Sequence, residues 1–466
     1  VITLRFKQNL LLQSIRQAYG SGFKAPLVVA PCGFGKTVLF SAMAESAEKR
    51  GCRVLIICHR IELVDQIVAT LAEFGVIPEI IAAGYTRSAG RERASNRTVA
   101  VASVQTLVRR IDSYAPPTLI IIDECHHAVS PTWAGIIRKF PNAKIMGVSA
   151  SPMRLDGRGL GTMFDKLIVG PSVKELTADG LLAPARIFAP PTVDTSGLHV
   201  RMGDFKTEEA DALLDTPAIT GSALSHYRQH ANGLPALVFC TSVAHAHHVA
   251  EQFRKDDISA IALDGGTDKD LRRMALADFK RGAIKVITQC EIATEGWDLP
   301  GVHCGIFLRP TQSLGLWIQM TGRCSRLSPG KTHAILLDHT GNCQRLGMPD
   351  EDREWTLEGD SDKRKKKPAP GIRVCPKCFA ASPARATQCV ECGTAFEVKP
   401  RQQVEEKEGE LVELTAEQIA KKRERREQGR AQTLDQLRQI ARIKGYNESW
   451  AQHVWEGRQA KMRKKA

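Results

Sequence analysis

The run PLVVAPCGFGKTVLFSAMAESAEKRG (26–51) decides the fold. An apolar strand-like stretch leads into a glycine-rich loop, and TVLFSAMAESAEKRG (37–51) then has the composition of a helix. Strand, loop and helix in that order are the start of a parallel α/β unit, since an apolar run without alternation needs cover on both faces. Within it, APCGFGKT (30–37) follows the phosphate-binding pattern GxxxxGK[ST], with Ala30 in place of the first glycine and Gly35, Lys36 and Thr37 in register. Gly33 and Gly35 allow backbone N–H groups to turn toward phosphate oxygens at a helix N-terminus. Lys36 offers a cation to the β- and γ-phosphates, and the Thr37 hydroxyl can join a Mg²⁺ shell.

Working outward, RVLIICH (53–59), TVAVAS (98–103), TLIIIDE (118–124) and KIMGVSA (144–150) repeat the strand signal, with ELVDQIVATLAEFG (62–75) as a helix between the first two. A Pro/Gly-rich interval follows (SPMRLDGRGLG, then PARIFAPP at 184–191). The pattern then restarts with PALVFCTS (235–242), SAIALDG (259–265), KVITQC (285–290) and HCGIFLR (303–309). Two tandem parallel-sheet α/β domains are expected. GRGLG (157–161) lacks the spacing of a dinucleotide-binding loop and reads as a flexible connection.

IIIDECHH (120–127) ends a strand with two carboxylates, at the edge of a parallel sheet where ligands bind. Asp123 would hold Mg²⁺ through water, and Glu124 would orient and deprotonate an attacking water. QMTGRCSR (319–326) places Gln319, Arg323 and Arg326 on successive turns of one expected helix face. Two arginines three apart can reach a γ-phosphate from across a domain cleft. His126 and His127 stand without metal-ligand spacing and read as coupling or packing groups.

Composition narrows the class. The 466 residues exceed one core, and 43% hydrophobic with 25% charged residues excludes a chain disordered throughout. No apolar window is long enough to span a membrane, and VITLRFKQNLLLQ (1–13) shows no leader pattern. The net charge is +14, and residues 361–466 carry 25 basic against 14 acidic side chains while the rest is near balance. A basic tail on a balanced body fits a polyanion partner, nucleic acid first, or a solvated tail that aids solubility.

Thirteen cysteines include nine scattered singly, the usage of a reducing, cytoplasmic compartment. The other four, Cys375, Cys378, Cys389 and Cys392, form a CxxC-x10-CxxC array expected to bind Zn²⁺ as a ribbon. A segment this short and this poor in apolar residues needs a metal to fold. Phosphate contacts through Lys377, Arg385 and KRKKK (363–367), protein docking and a structural staple remain open roles for it.

Over residues 1–345 the ordered motifs resemble superfamily 2 helicases of the DExH type. LRFKQ (4–8) is similar to the adenine-reading segment, which implies nucleotide contacts from Arg5 and Gln8. CHRIELVDQ (58–66) and SVQTL (103–107) resemble strand-tracking motifs, SAS (149–151) the coupling motif, VFCTS (238–242) motif IV and TEGWD (294–298) motif V. Cys125 and Ser151 depart from commoner residues without removing a ligand or base. The resemblance implies two RecA-like domains with ATP and Mg²⁺ between them, Asp298 at the ribose or the interface, and Thr106, Thr241 and Thr288 as phosphate contacts on a DNA strand.

The ending ARIKGYNESWAQHVWEGRQAKMRKKA (441–466) resembles that of RadD-like helicases, including phage-borne ones. This implies DNA repair, recombination or fork processing, a nucleoid association, and single-stranded-DNA-binding protein as a partner. Trp450 and Trp455 read as a small helical core, with base stacking by Tyr446, Trp450 and Trp455 as the alternative. The expected layout is an ATP-binding domain over 1–185, a second motor domain over 186–348, a charged linker over 349–372, a zinc ribbon over 373–398 and a basic helical region over 399–466. An RNA helicase, the motor of a restriction or defence complex, and an ATP-switched recruitment module are the rival readings.

Overall fold

The computed structural model describes residues 2–85, 97–154, 156–189, 195, 197–201, 203–290, 299, 301–359, 371–396 and 433–463. The chain divides into two units, Val1–Glu397 and Val398–Ala466. In the first unit, β1 (Pro26–Val29), β2 (Val54–Cys58), β3 (Glu79–Ile81), β4 (Val99–Ser103), β5 (Leu119–Asp123), β6 (Lys144–Ser149) and β7 (Lys166–Val169) form one sheet. Its order is β3-β4-β2-β5-β6-β1-β7 and every pairing is parallel.

Alternate side chains of these strands serve two different cores. Val28, Ile56 and Ile121 pack toward Ile15 of α1 (Phe6–Gly20), Leu39 and Phe40 of α2 (Lys36–Glu48) and Ile67 of α3 (Ile61–Glu73). Leu27, Leu55, Ile57, Ile120 and Ile122 pack on the other face with Leu107 of α4 (Val104–Val108) and Trp133 and Ile136 of α5 (Pro131–Lys139). Both faces being covered is why these strands read as continuous apolar runs. The short α6 (Val173–Ala178), closed by a Ser172–Glu175 capping box, leads toward the second domain.

There β8 (Ala185–Phe188) is followed by a two-residue-stranded hairpin, β9 (Val200–Arg201) and β10 (Asp204–Phe205). The rest of the sheet is β11 (Ala236–Phe239), β12 (Ala260–Leu263), β13 (Val286–Gln289), β14 (Cys304–Phe307) and β15 (Ala334–Asp338). The parallel order is β12-β13-β11-β14-β15-β8. The helices are α7 (Thr207–Leu214), α8 (Pro217–Ala231), α9 (Val243–Lys255), α10 (Lys269–Lys280), α11 (Leu314–Cys324) and α12 (Asn342–Leu346). PARIFAPP, read from its prolines as an interval, in fact supplies β8. Within the sheet it pairs with β15, at the edge, the position that tolerates flanking prolines.

Residues 349–359 return to the first domain. Trp355 and Leu357 pack beside Leu160 and Phe164, Gly161 N–H donates to Leu357 O at 2.9 Å, and Arg158 bridges to Gly359. A Cβ on Gly159 would lie 2.0 Å from Leu357 O, so this glycine admits the returning backbone. Gly159 and Gly161 of GRGLG therefore belong to an ordered contact and not to a flexible loop, and this stretch of the expected linker is a strap between the two domains.

The cysteine segment carries β16 (Ile372–Val374) antiparallel to β17 (Ala381–Pro383). It docks on the second domain: Ala189 N–H donates to Phe379 O at 2.9 Å, Phe188 bridges to Ala380, and Arg186 pairs with Glu391. Cys375, Cys389 and Phe396 share a core with Tyr227 and Phe253.

In the separate second unit, α13 (Leu434–Lys444) and α14 (Glu448–Arg463) form a helical hairpin. A Thr433–Gln436 capping box starts it, and Gly445, at φ 69°, turns it. Leu437, Ala441 and Ala451 are buried with Trp450 and Trp455 packed against them, the small core expected of the two tryptophans, and Tyr446 joins it.

Candidate nucleotide site

The C-terminal ends of β1, β5 and β6 lie side by side, with Ala30 N–H donating to Ser149 O at 3.0 Å. This edge carries the phosphate-loop motif and the acidic pair. Gly33 (φ 86°) and Gly35 (φ 89°) are both left-handed, which glycine adopts without strain, and Gly35 is the N-cap of α2. Lys36 opens α2, and its Nζ donates to Ala30 O at 3.3 Å, which holds the ammonium across the mouth of the loop. Thr37 follows, half-buried.

Gln8 is 3% exposed and ties α1 to the loop. Its Oε1 accepts from Arg5 N–H at 2.9 Å and its Nε2 donates to Phe34 O at 3.0 Å. A Cβ on Gly35 would lie 2.6 Å from Gln8 Nε2. Part of the Gln8 amide thus holds the loop, while Arg5 remains exposed at the helix start.

Asp123 ends β5, is 4% exposed, and accepts from Glu124 N–H at 3.1 Å. Glu124 has φ 47° and ψ 53°, a left-handed backbone uncommon for a residue with a side chain. Its Oε2 is buried and accepts no hydrogen bond among the described residues; His126 Nδ1 is 3.5 Å away and also 3.4 Å from Ser149 Oγ. Burial pushes the Cys125 thiol up, the Glu124 and Asp123 charges add to this, and Lys36 opposes it. Lys36, Asp123 and Glu124 therefore share one electrostatic neighbourhood.

The second domain meets this edge through α11. Gln319 and Arg323 are buried on it, at 3% and 7% exposed. A Cβ on Gly322 would lie 2.6 Å from Cys32 Cβ, and one on Gly315 would lie 3.0 Å from Ser151 Oγ. Ile318, between them, packs with Cys32 and Ala150. Arg326 Cγ comes within 3.8 Å of a Cβ placed on Gly33. One expectation needs correction: α11 ends at Cys324, so Arg326 lies beyond the helix and does not share a helical face with Gln319 and Arg323.

Two of the expected nucleic-acid contacts are also corrected. Thr288 is fully buried and its hydroxyl donates to Ala246 O at 2.6 Å. Thr241, 3% exposed, donates to Asp211 Oδ1 at 2.5 Å. Both hydroxyls are held inside the domain. Thr106, partly buried, lies 3.0 Å from Ser103 Oγ. Asp298 and the rest of TEGWD lie outside the described residues, as does KRKKK. Sequence reasoning passed over Lys331 and Trp355, which no nucleotide motif includes.

The Sγ atoms of Cys375, Cys378, Cys389 and Cys392 lie within 4.8 Å of one another. Cys375 and Cys392 are 3.6 Å apart, as are Cys378 and Cys389. Tetrahedral zinc with bonds of about 2.3 Å separates its sulfurs by about 3.8 Å, so the four thiols fit that ion.

Comparison with known proteins agrees with this geometry. Residues 1–154 match the family model of the type III restriction enzyme res subunit, and residues 208–328 match the helicase conserved C-terminal domain. A 51.5 kDa protein of a Lactococcus phage (isolate 7-9) is 31% identical over 84% of this chain and 83% of its own length. The chain belongs to superfamily 2 of the helicases. This superfamily 2 helicase is also 31% identical to the candidate ATP-dependent helicase IRC3 of Saccharomyces cerevisiae, over 71% of this chain but only 50% of that protein. Its fold matches a fragment ascribed to the HsdR subunit of a type I restriction enzyme from Vibrio vulnificus YJ016, with TM-score 0.58, 24% identity and coverage of 75% and 67%. As a superfamily 2 helicase it hydrolyses ATP. No described helix is long and apolar enough to cross a membrane.

Proposed function

We propose that this chain is a DNA-directed helicase or translocase whose ATP site is completed only when its two domains meet. The observation that carries this reading is the seating of α11 on the phosphate loop, with Gly322 against Cys32 and Arg326 beside Gly33. A site split between two domains links hydrolysis to their relative movement. Lys36 and the loop N–H groups would hold the phosphates, and Thr37 and Asp123 would hold Mg²⁺. Bound Mg²⁺ neutralises charge on the phosphate oxygens. Glu124, whose buried Oε2 accepts no hydrogen bond among the described residues, would take the proton from the attacking water, and Arg323 and Arg326 would face the γ-phosphate. Zn²⁺ on the four cysteines would fix the ribbon to the second domain.

DNA is favoured over RNA by the match to a restriction-enzyme family model and by the DECHH form of the acidic motif. The same match keeps the motor of a restriction complex as a second reading. Roles in repair or fork processing, and a single-stranded-DNA-binding partner, rest on the RadD-like ending. The test is steady-state ATP hydrolysis with no nucleic acid, single-stranded DNA, duplex, fork and RNA, with Glu124→Gln as the blank. Stimulation by DNA is expected, with a loss of about 100-fold or more in the variant. Equal rates with every nucleic acid would overturn the motor reading.

A further inference from the structure

Lys331 lies five residues after Arg326 and is 8% exposed. Its Nζ donates to Val302 O at 2.5 Å, to Arg326 O at 2.8 Å and to Cys324 O. An ammonium has three N–H donors, and all three meet carbonyls. Cys324 O belongs to the last residue of α11, where the orphan carbonyls and the negative end of the helix dipole favour a cation. Val302 sits just before β14, so the lysine joins the sheet, the helix end and the following loop at one point.

The fold alone gives little reason for a cation here. Burial pushes the Lys331 pKa down to about 8, partly offset by the Cys324 and Cys304 thiols. Buried charge without a carboxylate partner is seldom a net gain in stability over an apolar side chain. What the charge does secure is the path of residues 324–326. Arg326 lies two residues past the end of α11, and Lys331 ties its carbonyl to the sheet.

We propose that Lys331 is a positioning residue for ATP hydrolysis: by clamping Cys324 O and Arg326 O to the sheet, it fixes where the Arg323 and Arg326 guanidiniums point. This rests on the reading of those arginines as γ-phosphate ligands. Ala183 N–H, from the first domain's end, also donates to Ser325 O at 2.8 Å, so the clamped segment is the one that contacts the partner domain.

The test compares Lys331→Met and Lys331→Gln with Arg323→Ala and Arg326→Ala. It reads kcat and KM for ATP, affinity for ADP with and without aluminium fluoride, and thermal midpoint. Lys331→Met is expected to lose about 10- to 100-fold in kcat with little change in KM. It should bind ADP normally and ADP–aluminium fluoride weakly, with Lys331→Gln intermediate because its amide keeps two donors. If Lys331→Met does not fold, Lys331→Gln carries the comparison. Folded Lys331 variants with normal kcat, or with equal losses for both nucleotides, overturn the positioning role while the arginine reading stands. Normal kcat in both arginine variants overturns the arginine reading and the positioning role with it.

Discussion

Gly322 of α11 stands against Cys32 of the phosphate loop so closely that a Cβ in its place would lie 2.6 Å from the cysteine's Cβ. The contact joins the two motor domains, so the penalty of a methyl group falls on their closure. Within the helix itself, alanine is favoured over glycine by about 1 kcal/mol. Overpacking the contact costs about 1–3 kcal/mol. Gly322→Ala should therefore keep or raise the thermal midpoint yet lower kcat/KM for ATP by about 5-fold or more. A variant with normal turnover would show that this contact does not belong to the hydrolytic state.

The ribbon makes a second prediction. Cys375 and Cys389 are buried in the same core as Tyr227 and Phe253, and Phe379 O holds Ala189 N–H. Removing a cysteine should therefore unfold more than a surface appendage. Cys375→Ser, or prolonged chelation, should release about one Zn²⁺ per chain. Amide exchange should then speed up in α8 and β8 as well as in the ribbon. Exchange confined to residues 371–396 would identify the ribbon as an independent module.

The sheet and its binding edge were legible because buried parallel strands leave apolar runs, and phosphate loops need glycine, lysine and threonine at fixed spacing. PLVVAPCGFGKT and IIIDECHH therefore locate two parts of the site before any coordinates. What the sequence hid depended on neighbours far along the chain. The four residues of β8 sit between prolines and show their strand character only through pairing with β15. GRGLG looks flexible until residues 357–359 occupy the space its missing side chains leave. Thr288 resembled a strand contact because motif position says nothing about which way a hydroxyl points, and here it points to Ala246 O.

The strap over 349–359 gives a third prediction. Gly159→Ala would place a methyl group 2.0 Å from Leu357 O, a backbone atom that cannot rotate away. The strap should lift, and Trp355 should lose its packing against the first domain. Limited proteolysis with mass spectrometry should show new cleavage within 349–359. The first domain should lose about 1–3 kcal/mol of stability. An unchanged cleavage map would mean that the strap tolerates the insertion and that its seating is not tight.

Acid sensitivity should come from buried histidines of the second domain. His339 follows β15, is 5% exposed, and its Nε2 has no hydrogen-bond partner among the described residues. Burial, with a smaller effect from the nearby His226 ring, pushes its pKa down to about 3. Burial also lowers His226 and His230. The folded chain then refuses a proton that the unfolded chain accepts below about pH 6.5. Stability is thus fully present above that pH and is lost as pH falls toward 3, with a slope of up to about 1.4 kcal/mol per pH unit for one histidine. Denaturant unfolding between pH 7 and 5 should show this fall. His339→Phe, which keeps a ring and removes the titrating group, should flatten it by up to one proton's worth. The other histidines should leave a residual slope. An identical slope in wild type and variant would mean that His339 takes up its proton without leaving the fold.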